Sequence, residues 1–172
     1  MTETKPLTWN AALIVLSDKA ASGTRADACL PRLKAGLPEQ FQVASQHILS
    51  DDRAALEKLL RELCDPKSQV GLILTSGGTG LSPRDVTPQA TQAIADYEVP
   101  GIAEAMRAAS IPTVPTAMLS RAVAAVRKKT LIVNLPGNPE AVAETLAVIA
   151  PVLAHACQLL QGAVGEHPPR GR

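Results

Sequence analysis

VGLILTSGGTGLSPRDVTPQAT, residues 70–91, joins an apolar run to a loop that carries three glycines within four positions. The apolar run Val70–Ser76 is bounded by turn residues, which predicts a β-strand covered on both faces. Beyond the loop, Thr87 followed by Pro88 predicts the N-cap and first turn of a helix that runs to about Asp96. A buried strand that leads through a glycine-rich loop into a helix indicates an α/β fold.

Three further strands are predicted on either side of this stretch. Ala11–Ser17 and Thr130–Leu135 are short apolar runs, and Phe41–Leu49 alternates apolar and polar residues. Helical spacing of apolar residues separates the strands, and PGIAEAMRAAS, residues 100–110, adds a short helix. The apolar positions of the other predicted helices are Ala26, Cys29, Leu30 and Leu33; Leu56, Leu59, Leu60 and Leu63; and Val142, Leu146, Ile149, Ala150 and Leu153.

Polar residues and prolines set the ends of these helices. Ser50 or Asp51 is expected to cap the helix over Leu56 to Leu63, and Asn138 followed by Pro139 opens the last helix. Pro151 is expected to kink or restart that helix. Alternating strands and helices predict a three-layer α/β/α sandwich with a mostly parallel central sheet. Residues 1–172 form one domain in this prediction, with residues 1–10 and 163–172 as frayed tails.

Composition narrows the classes of function. The chain has 172 residues, 46% of them hydrophobic, and a formal charge of +1, so nothing global directs it toward nucleic acid or a membrane surface. One Phe, one Tyr and one Trp leave too few aromatic residues for base stacking. The three cysteines are far apart and predict buried thiols in a reducing interior. With no signal segment and no apolar run expected to reach membrane-spanning length, a cytoplasmic protein is predicted.

The loop after the central strand, residues 77–86, is here called the glycine loop. Gly77, Gly78, Thr79 and Gly80 allow successive backbone N–H groups to converge on one anion, most naturally a phosphate. A P-loop would continue with Lys and Ser or Thr, and a dinucleotide-binding motif would need another glycine where Pro83 stands. The loop therefore predicts phosphate binding of another kind.

Arg84 and Asp85 complete the glycine loop before the predicted helix. An arginine neutralises phosphate and a carboxylate holds hydrated Mg²⁺, which suits phosphate-group transfer. In the simpler interpretation, the glycines form an ordinary turn and Asp85 caps the next helix. Asp51 and Asp52 end another predicted strand and supply a second carboxylate if that strand lies nearby.

TSGGTGLSPRDVTPQAT closely resembles the T-x-GGTG-x-x-PRD-x-TP-x-AT signature of the MoaB/Mog family of molybdenum-cofactor biosynthesis proteins. Similarity extends to VLSDKAASGTRAD, PGIAEAMR, AMLSRAVAAVRKKTLIVNLPGNP and PVLAHACQLLQG, and so to about residues 11–162. The resemblance implies a molybdopterin adenylyltransferase, which transfers AMP from Mg·ATP to the terminal phosphate of molybdopterin and releases pyrophosphate. It also implies a homotrimer and contact with other proteins of cofactor biosynthesis.

The resemblance also implies a set of site residues, in which Asp51 and Asp85 are catalytic and hold Mg²⁺. Asp52 is the alternative to Asp51 in this alignment. The residues implied to bind molybdopterin or nucleotide are Ser17, Asp18, Gly77, Gly78, Thr79, Gly80, Ser120, Pro136, Gly137 and Asn138.

This chain departs from the family pattern at two positions, since Ala125 and Lys128 replace glycines. If either family glycine has a positive φ, its replacement by another residue introduces about 1 kcal/mol or more of backbone strain. The expected outcome is that the turn adjusts and that Lys128 adds a surface charge, with the chemistry intact.

Two other functions remain open at this point. A non-catalytic molybdopterin binder or scaffold would share the same loop. A molybdenum insertase carries a similar GGTG domain but needs further domains, for which a chain of this length is expected to have no room.

Overall fold

The computed structural model describes residues 8–162. The predicted tail 163–172 and residues 1–7 lie outside this part of the chain. Trp9 and Asn10 were expected to fray, but they are the first residues of a strand, so that part of the prediction is wrong.

Six strands of residues 8–162 form one sheet: β1 (Trp9–Leu16), β2 (Phe41–Leu49), β3 (Val70–Ser76), β4 (Tyr97–Glu98), β5 (Ala124–Arg127) and β6 (Thr130–Leu135). The pairs β1/β2, β1/β3 and β3/β6 are parallel, whereas β5/β6 and β4/β5 are antiparallel. This arrangement confirms the predicted α/β class with a mostly parallel sheet. Across the sheet the strands follow the order β2-β1-β3-β6-β5-β4.

Helices cover both faces of the sheet and make the three layers. They are α1 (Asp18–Ala21), α2 (Cys29–Gly36), α3 (Arg53–Leu63), α4 (Thr87–Ile94), α5 (Pro100–Ser110) and α6 (Pro139–Leu160), with 3₁₀ turns at Pro66–Ser68 and Pro115–Leu119. Alternate residues of β1 serve the two faces: Leu13 packs in the cluster that α2, α5 and α6 cover, and Ile14 in the cluster under α3 and α4. Both side chains are fully buried. A strand buried on both faces must be apolar throughout, which is why the run predicted it.

Local capping changes several predicted helix ends. Helix α2 begins at Cys29, because the Asp27 carboxylate accepts hydrogen bonds from the N–H groups of Cys29 (3.0 Å) and Leu30 (2.8 Å). Ala26 is therefore exposed and outside the helix. Helix α6 continues through Pro151 without a restart, and α4 ends at Ile94 rather than Asp96.

Helix α6 corrects a second expectation. By length and composition alone it is the one helix among residues 8–162 that is apolar enough to cross a membrane, whereas no such run was expected. One face of α6 buries Val142, Leu146 and Ile149 in the core, and the helix contacts α2, α5 and β6. Packing of this kind is typical of the core helix of a globular domain.

The three cysteines are buried free thiols, as predicted. Burial raises the pKa of Cys64 to about 11 and that of Cys157 to about 12. Neither thiol is ionised near neutral pH, so both behave as small apolar residues.

The two departures from the family glycines have different consequences. Ala125 is fully buried in β5 with an ordinary strand conformation, whereas Lys128 has a φ of 53° in the turn between β5 and β6. The expectation that the turn adjusts is wrong, because Lys128 keeps a left-handed backbone conformation. This conformation destabilises the folded state by about 1 kcal/mol. Its N–H donates to the Asp96 carboxylate at 2.6 Å, and its Nζ lies 3.7 Å from the Asp65 carboxylate.

Candidate functional site

Loops that follow β1, β2, β3 and β6 meet at the carboxyl edge of the parallel strands. They enclose a cleft of about 500 Å³. Seven of the predicted site residues line it: Ser17, Asp51, Gly77, Gly78, Asp85, Gly137 and Asn138.

The other predicted residues lie beside this cleft rather than in it. Four line a neighbouring cavity of about 280 Å³ with mostly apolar walls: Thr79, Gly80, Ser120 and Pro136. Asp18 lines neither cavity and stands at the rim of the cleft, paired with Arg84. The glycine loop contributes residues to both cavities, so it separates them.

The strand ends approach so closely that side chains do not fit between them. Gly77 has a φ of 99°, and a Cβ on it would overlap the carbonyl oxygen of Leu16 at the end of β1. A Cβ on Gly137 would lie 3.2 Å from the Gly77 Cα. Glycine at position 77 therefore meets both a backbone requirement and a packing requirement.

Four successive N–H groups of the glycine loop, those of residues 78–81, donate no hydrogen bond within residues 8–162. The N–H of Gly77 is different, since it donates to the Leu135 carbonyl at 3.2 Å. Gly77 thus supplies curvature rather than a donor. A run of unpaired N–H groups in a loop of positive-φ glycines is the anion-binding arrangement expected from the sequence.

Buried hydroxyl and amide groups support the loop from below. The Asn134 side-chain amide donates to the hydroxyls of Thr75 and Thr91, both at 3.0 Å. Thr91 donates in turn to the Thr87 carbonyl at 3.0 Å, and the Thr87 hydroxyl donates to the Gly77 carbonyl at 2.8 Å. All four polar side chains are fully buried and hydrogen-bonded, so they fix the loop without an unsatisfied polar group.

Thr87 was predicted to be the N-cap of α4, and this prediction is wrong. The N-cap position is Val86, which makes no side-chain hydrogen bond, and Thr87 is the first helical residue. Its hydroxyl is committed to Gly77, and its own N–H donates to the Gly78 carbonyl at 3.1 Å. Thr87 therefore holds two consecutive carbonyls of the glycine loop.

Asp85 does not cap α4 either, which removes the simpler interpretation of this acid. Its half-buried carboxylate accepts a hydrogen bond from the Ser82 N–H at 2.9 Å and faces the cleft. A Cβ on Gly80 would lie 2.9 Å from the Asp85 carboxylate oxygen, so this glycine makes room for the acid.

Asp51 and Asp52 are adjacent in sequence but have different structural roles. Asp52 is the N-cap of α3 and accepts a hydrogen bond from the Ala55 N–H at 2.9 Å, so the expected cap at Ser50 or Asp51 is wrong. Asp51 lines the cleft with Asp85. Between the two candidates for the second carboxylate, the geometry favours Asp51.

Asp51 and Asp18 join the loops after β2 and β1. The Asp51 N–H donates to the Asp18 carboxylate at 3.0 Å, and the Asp18 N–H donates to the Asp51 carboxylate at 3.3 Å. Arg84 forms an ion pair with Asp18 at 2.7 Å, which brings the glycine loop into the same cluster. Arg84 was expected to neutralise phosphate, but its guanidinium is paired with this carboxylate.

The two acids of this cluster differ in charge environment. Burial, followed by the negative charges of Asp18 and Asp85, raises the pKa of Asp51, although its hydrogen bond from Asp18 opposes the shift. The hydrogen bonds from Arg84 and from the Asp51 backbone lower the pKa of Asp18. A cation in the cleft would relieve the electrostatic repulsion on Asp51. Asp18 already has a cationic partner, Arg84.

Some residues of the site were not predicted. Arg25 and Asp27 line the cleft, and Arg121 donates hydrogen bonds to the glycine loop. The signal for Asp27 was its place in the family-like segment GTRAD, and Arg121 directly follows the predicted Ser120.

The residues present fit a magnesium ion that arrives with a nucleotide. Mg²⁺ is usually held by one or two carboxylates and substrate phosphates. Asp51 and Asp85 face one cleft, and no group of three or more metal-binding side chains occurs among the described residues. This donor set suits a shared ion and does not form a complete protein cage.

Similarities to known proteins cover most of the chain. The family described as "Probable molybdopterin binding domain" matches residues 12–155. The molybdopterin adenylyltransferase of Haemophilus influenzae is 47% identical over 138 residues, which are 78% of this chain and 69% of the relative. That of Escherichia coli is 46% identical over 138 residues, 78% of this chain and 70% of the relative. The molybdopterin biosynthesis enzyme MoaB from Thermus thermophilus has a TM-score of 0.84 and 42% identity over 90% of this chain and 98% of its own.

Proposed function

Because this chain belongs to the MoaB/Mog family of molybdopterin-binding domains, we propose that it is a molybdopterin adenylyltransferase. It transfers AMP from Mg·ATP to the terminal phosphate of molybdopterin and releases pyrophosphate. The observation that carries the proposal is the cleft in which Gly78, the first of four successive residues with unpaired N–H groups, lies with the carboxylates of Asp51 and Asp85. Relatives that carry this enzyme's name match most of the chain.

The first task of such a site is to bring two polyanions together. The N–H groups of residues 78–81 are free to bind phosphate oxygens, and donors fixed before the reaction cost no reorganisation during it. Arg25 is the cationic residue among those that line the cleft, and its side chain makes no hydrogen bond or ion pair within residues 8–162. These groups offset the repulsion between the reactants.

The chemical step is an in-line displacement at the α-phosphorus of ATP. A terminal phosphate oxygen of molybdopterin forms the new P–O bond, the bond to the bridging oxygen breaks, and pyrophosphate leaves with that electron pair. A phosphate monoester has its second pKa near roughly 6 and is already largely ionised at neutral pH. The site therefore needs no strong base, and Asp51 and Asp85 serve to hold the metal and water.

Mg²⁺, which Asp51 and Asp85 would hold, supplies positive charge to the nucleotide phosphates when bound. The predicted residues divide by environment. Those in the polar cleft would contact phosphates and metal. The neighbouring cavity, lined by Thr79, Gly80, Ser120 and Pro136, would receive a less polar part of a substrate, while the main-chain N–H groups of Thr79 and Gly80 would bind phosphate.

The oligomer is part of the proposal. Three apolar residues at the 3₁₀ turn Pro115–Leu119 expose 48–59% of their surface: Val114, Met118 and Leu119. An apolar surface of this kind suits the proposed homotrimer. A cytoplasmic location belongs to the same proposal, because the proposed reaction consumes ATP. Analytical ultracentrifugation measures the assembly directly, and a monomer at micromolar concentration would contradict it.

The decisive experiment is incubation of the protein with molybdopterin, ATP and Mg²⁺, followed by mass spectrometry of the pterin. We expect adenylated molybdopterin and stoichiometric pyrophosphate. Binding of molybdopterin without either product would instead support the non-catalytic binder or scaffold. Omission of molybdopterin is the control, because pyrophosphate released without it would come from ATP hydrolysis.

A further inference from the structure

Arg121 makes an unusual set of contacts with the glycine loop. Its main-chain N–H donates to the Thr79 carbonyl at 2.9 Å. Its side chain donates through Nε to the Gly80 carbonyl at 2.6 Å and through a terminal nitrogen to the Asp85 carbonyl at 2.7 Å. One residue therefore holds three carbonyls from both ends of the loop.

These carbonyls belong to the peptide units that carry the unpaired N–H groups. In a trans peptide the C=O and the following N–H point in opposite directions. Holding the Thr79 and Gly80 carbonyls therefore turns the N–H groups of Gly80 and Leu81 away from Arg121. Thr87 does the same for the N–H groups of Gly78 and Thr79, because it holds the two preceding carbonyls.

The guanidinium also acts on the acid of the loop. It fixes the Asp85 main chain while the Asp85 carboxylate accepts from Ser82 at the other side. Arg121 is half-buried and forms no ion pair within residues 8–162, so no carboxylate there neutralises its charge. The positive charge thus remains beside a loop that is proposed to receive phosphates.

Arg121 is itself held in place. The Arg107 side chain in α5 donates to the carbonyls of Ser120 at 3.3 Å and Ala122 at 3.0 Å, on either side of Arg121. Since α5 packs against α6 and β5, the segment is tied to the body of the domain. A fixed guanidinium orients the loop more strictly than a mobile one would.

We propose that Arg121 is a positioning residue: its guanidinium, by holding the Gly80 and Asp85 carbonyls, orients the Leu81 N–H group and the main chain of Asp85 for a nucleotide's phosphates. This inference rests on the proposed function for its substrate. The geometric part of the inference is that this position needs the planar guanidinium of arginine, and that part can be tested without measuring catalysis.

The test compares Arg121→Ala and Arg121→Lys with Arg61→Ala, which removes an exposed arginine of α3. Arg121→Ala loses the contacts to Gly80 and Asp85 but keeps the main-chain bond to Thr79. We expect kcat/KM for Mg·ATP to fall about 10- to 100-fold, as for loss of a group that orients a ligand. Added guanidinium ion should restore part of the loss, and Arg61→Ala should behave as wild type.

Arg121→Lys keeps the positive charge without the planar guanidinium. Its kcat/KM for Mg·ATP should regain less than half of what Arg121→Ala loses. Wild-type kinetics in Arg121→Lys would overturn the proposal, because charge alone would then suffice. A loss in Arg121→Ala that guanidinium leaves unchanged would also overturn it. If Arg121→Ala does not fold, Arg121→Lys decides the question through the same kinetics and its affinity for pyrophosphate.

Pyrophosphate binding by calorimetry, with Mg²⁺ present, separates this proposal from the proposed function. Arg121→Ala should bind pyrophosphate about 10-fold more weakly than wild type. If wild type makes no adenylated product yet shows this difference, the function is wrong and the positioning role stands. Equal affinities in the two proteins would overturn the positioning role whatever the activity.

Discussion

Two neighbouring strands of the sheet lead into helices through loops with different roles: a side chain of one loop caps the N–H groups that begin its helix, and the other loop leaves four successive N–H groups of its own unpaired within residues 8–162. In the loop after β6, residues 136–138, the Asn138 side chain accepts from the N–H groups of Glu140 (2.9 Å) and Ala141 (3.1 Å). In the glycine loop after β3, residues 78–81 have no such partner within residues 8–162, although their peptide carbonyls are held by Thr87 and Arg121.

The contrast separates a loop that completes a helix from a loop that is prepared for a ligand. Unpaired N–H groups are tolerated where water or an anion reaches them, and holding the carbonyls fixes where they point. The loop after β2 shows the same division between adjacent residues, since Asp52 caps α3 and Asp51 faces the cleft. Four predictions test this division.

The largest effect is expected from Asp85→Asn, which keeps the shape of the glycine loop and removes its charge. The amide oxygen still accepts from the Ser82 N–H, so the melting temperature should change little. Loss of one fixed electrostatic group typically costs about 100- to 1000-fold in rate. Pyrophosphate release under saturating ATP and molybdopterin measures this loss.

Glu104→Gln is the matched control for Asp85→Asn, because it removes an exposed acid from α5. It should retain wild-type turnover. Asp85→Asn with turnover within about 3-fold of wild type, far from the loss expected for a fixed electrostatic group, would show that the glycine loop needs no carboxylate.

Thr87→Val tests whether the held carbonyls matter. The side chain keeps its volume but leaves the buried Gly77 carbonyl without its hydroxyl donor, which should cost about 1–3 kcal/mol of stability. The loop should also bind pyrophosphate more weakly, because the Gly78 N–H is no longer oriented. Urea unfolding and calorimetry measure the two effects.

Thr87→Ser retains the hydroxyl and is the control for Thr87→Val. Its stability should lie between wild type and Thr87→Val, since only a methyl group is lost, and its pyrophosphate affinity should be that of wild type. A Ser variant as weak in binding as Val would mean that packing, not the hydrogen bond, supports the loop.

Substitutions of Asn138 can separate its role as the cap of α6 from its role in the cleft. Asn138→Ala removes the cap of α6 and should cost about 1 kcal/mol, whereas Asn138→Asp keeps a capping oxygen and should preserve stability. Asp adds negative charge to the cleft, so the KM for Mg·ATP should rise several-fold in that variant alone. Thermal melts and initial rates distinguish the two substitutions. Equal KM values would place the Asn138 side chain outside the substrate site.

The sequence predicts the parallel half of the sheet well because each central strand is buried on both faces and must be an apolar run. Val70–Ser76 was predicted in this way with the bounds that the structure shows. The edge strand Phe41–Leu49 was also predicted with its observed bounds, but from its alternation of apolar and polar residues. The antiparallel extension was missed, since β4 has two residues and β5 has four, too few to show a period.

The candidate site was predicted as a set of residues but not as an arrangement. The Thr87 hydroxyl had two available partners, the helix start and the Gly77 carbonyl, and only the folded chain brings the second within reach. The choice between Asp51 and Asp52 likewise depended on which acid caps α3. Such choices are made by contacts between residues distant in sequence, which local patterns do not encode.

Asp51→Asn is expected to change stability only slightly and tests the loop after β2. The pKa of Asp51 is raised in the folded protein, chiefly by burial, so its ionisation opposes folding as pH rises through that pKa. Asn removes this loss, and the variant should melt about 1–2 °C above wild type at pH 7, because solvent screens a partly exposed carboxylate. Below pH 3.8, where the unfolded carboxyl is also protonated, the two melting temperatures should converge. Turnover should fall in the variant despite its stability. The acid limb of the wild-type kcat/KM profile, which reports the free enzyme, should lie above the ordinary range of an aspartate. Asp52→Asn, which keeps a capping oxygen, should leave both curves unchanged. A lower melting temperature in Asp51→Asn at pH 7 would mean that Asp51 serves the fold rather than the cleft.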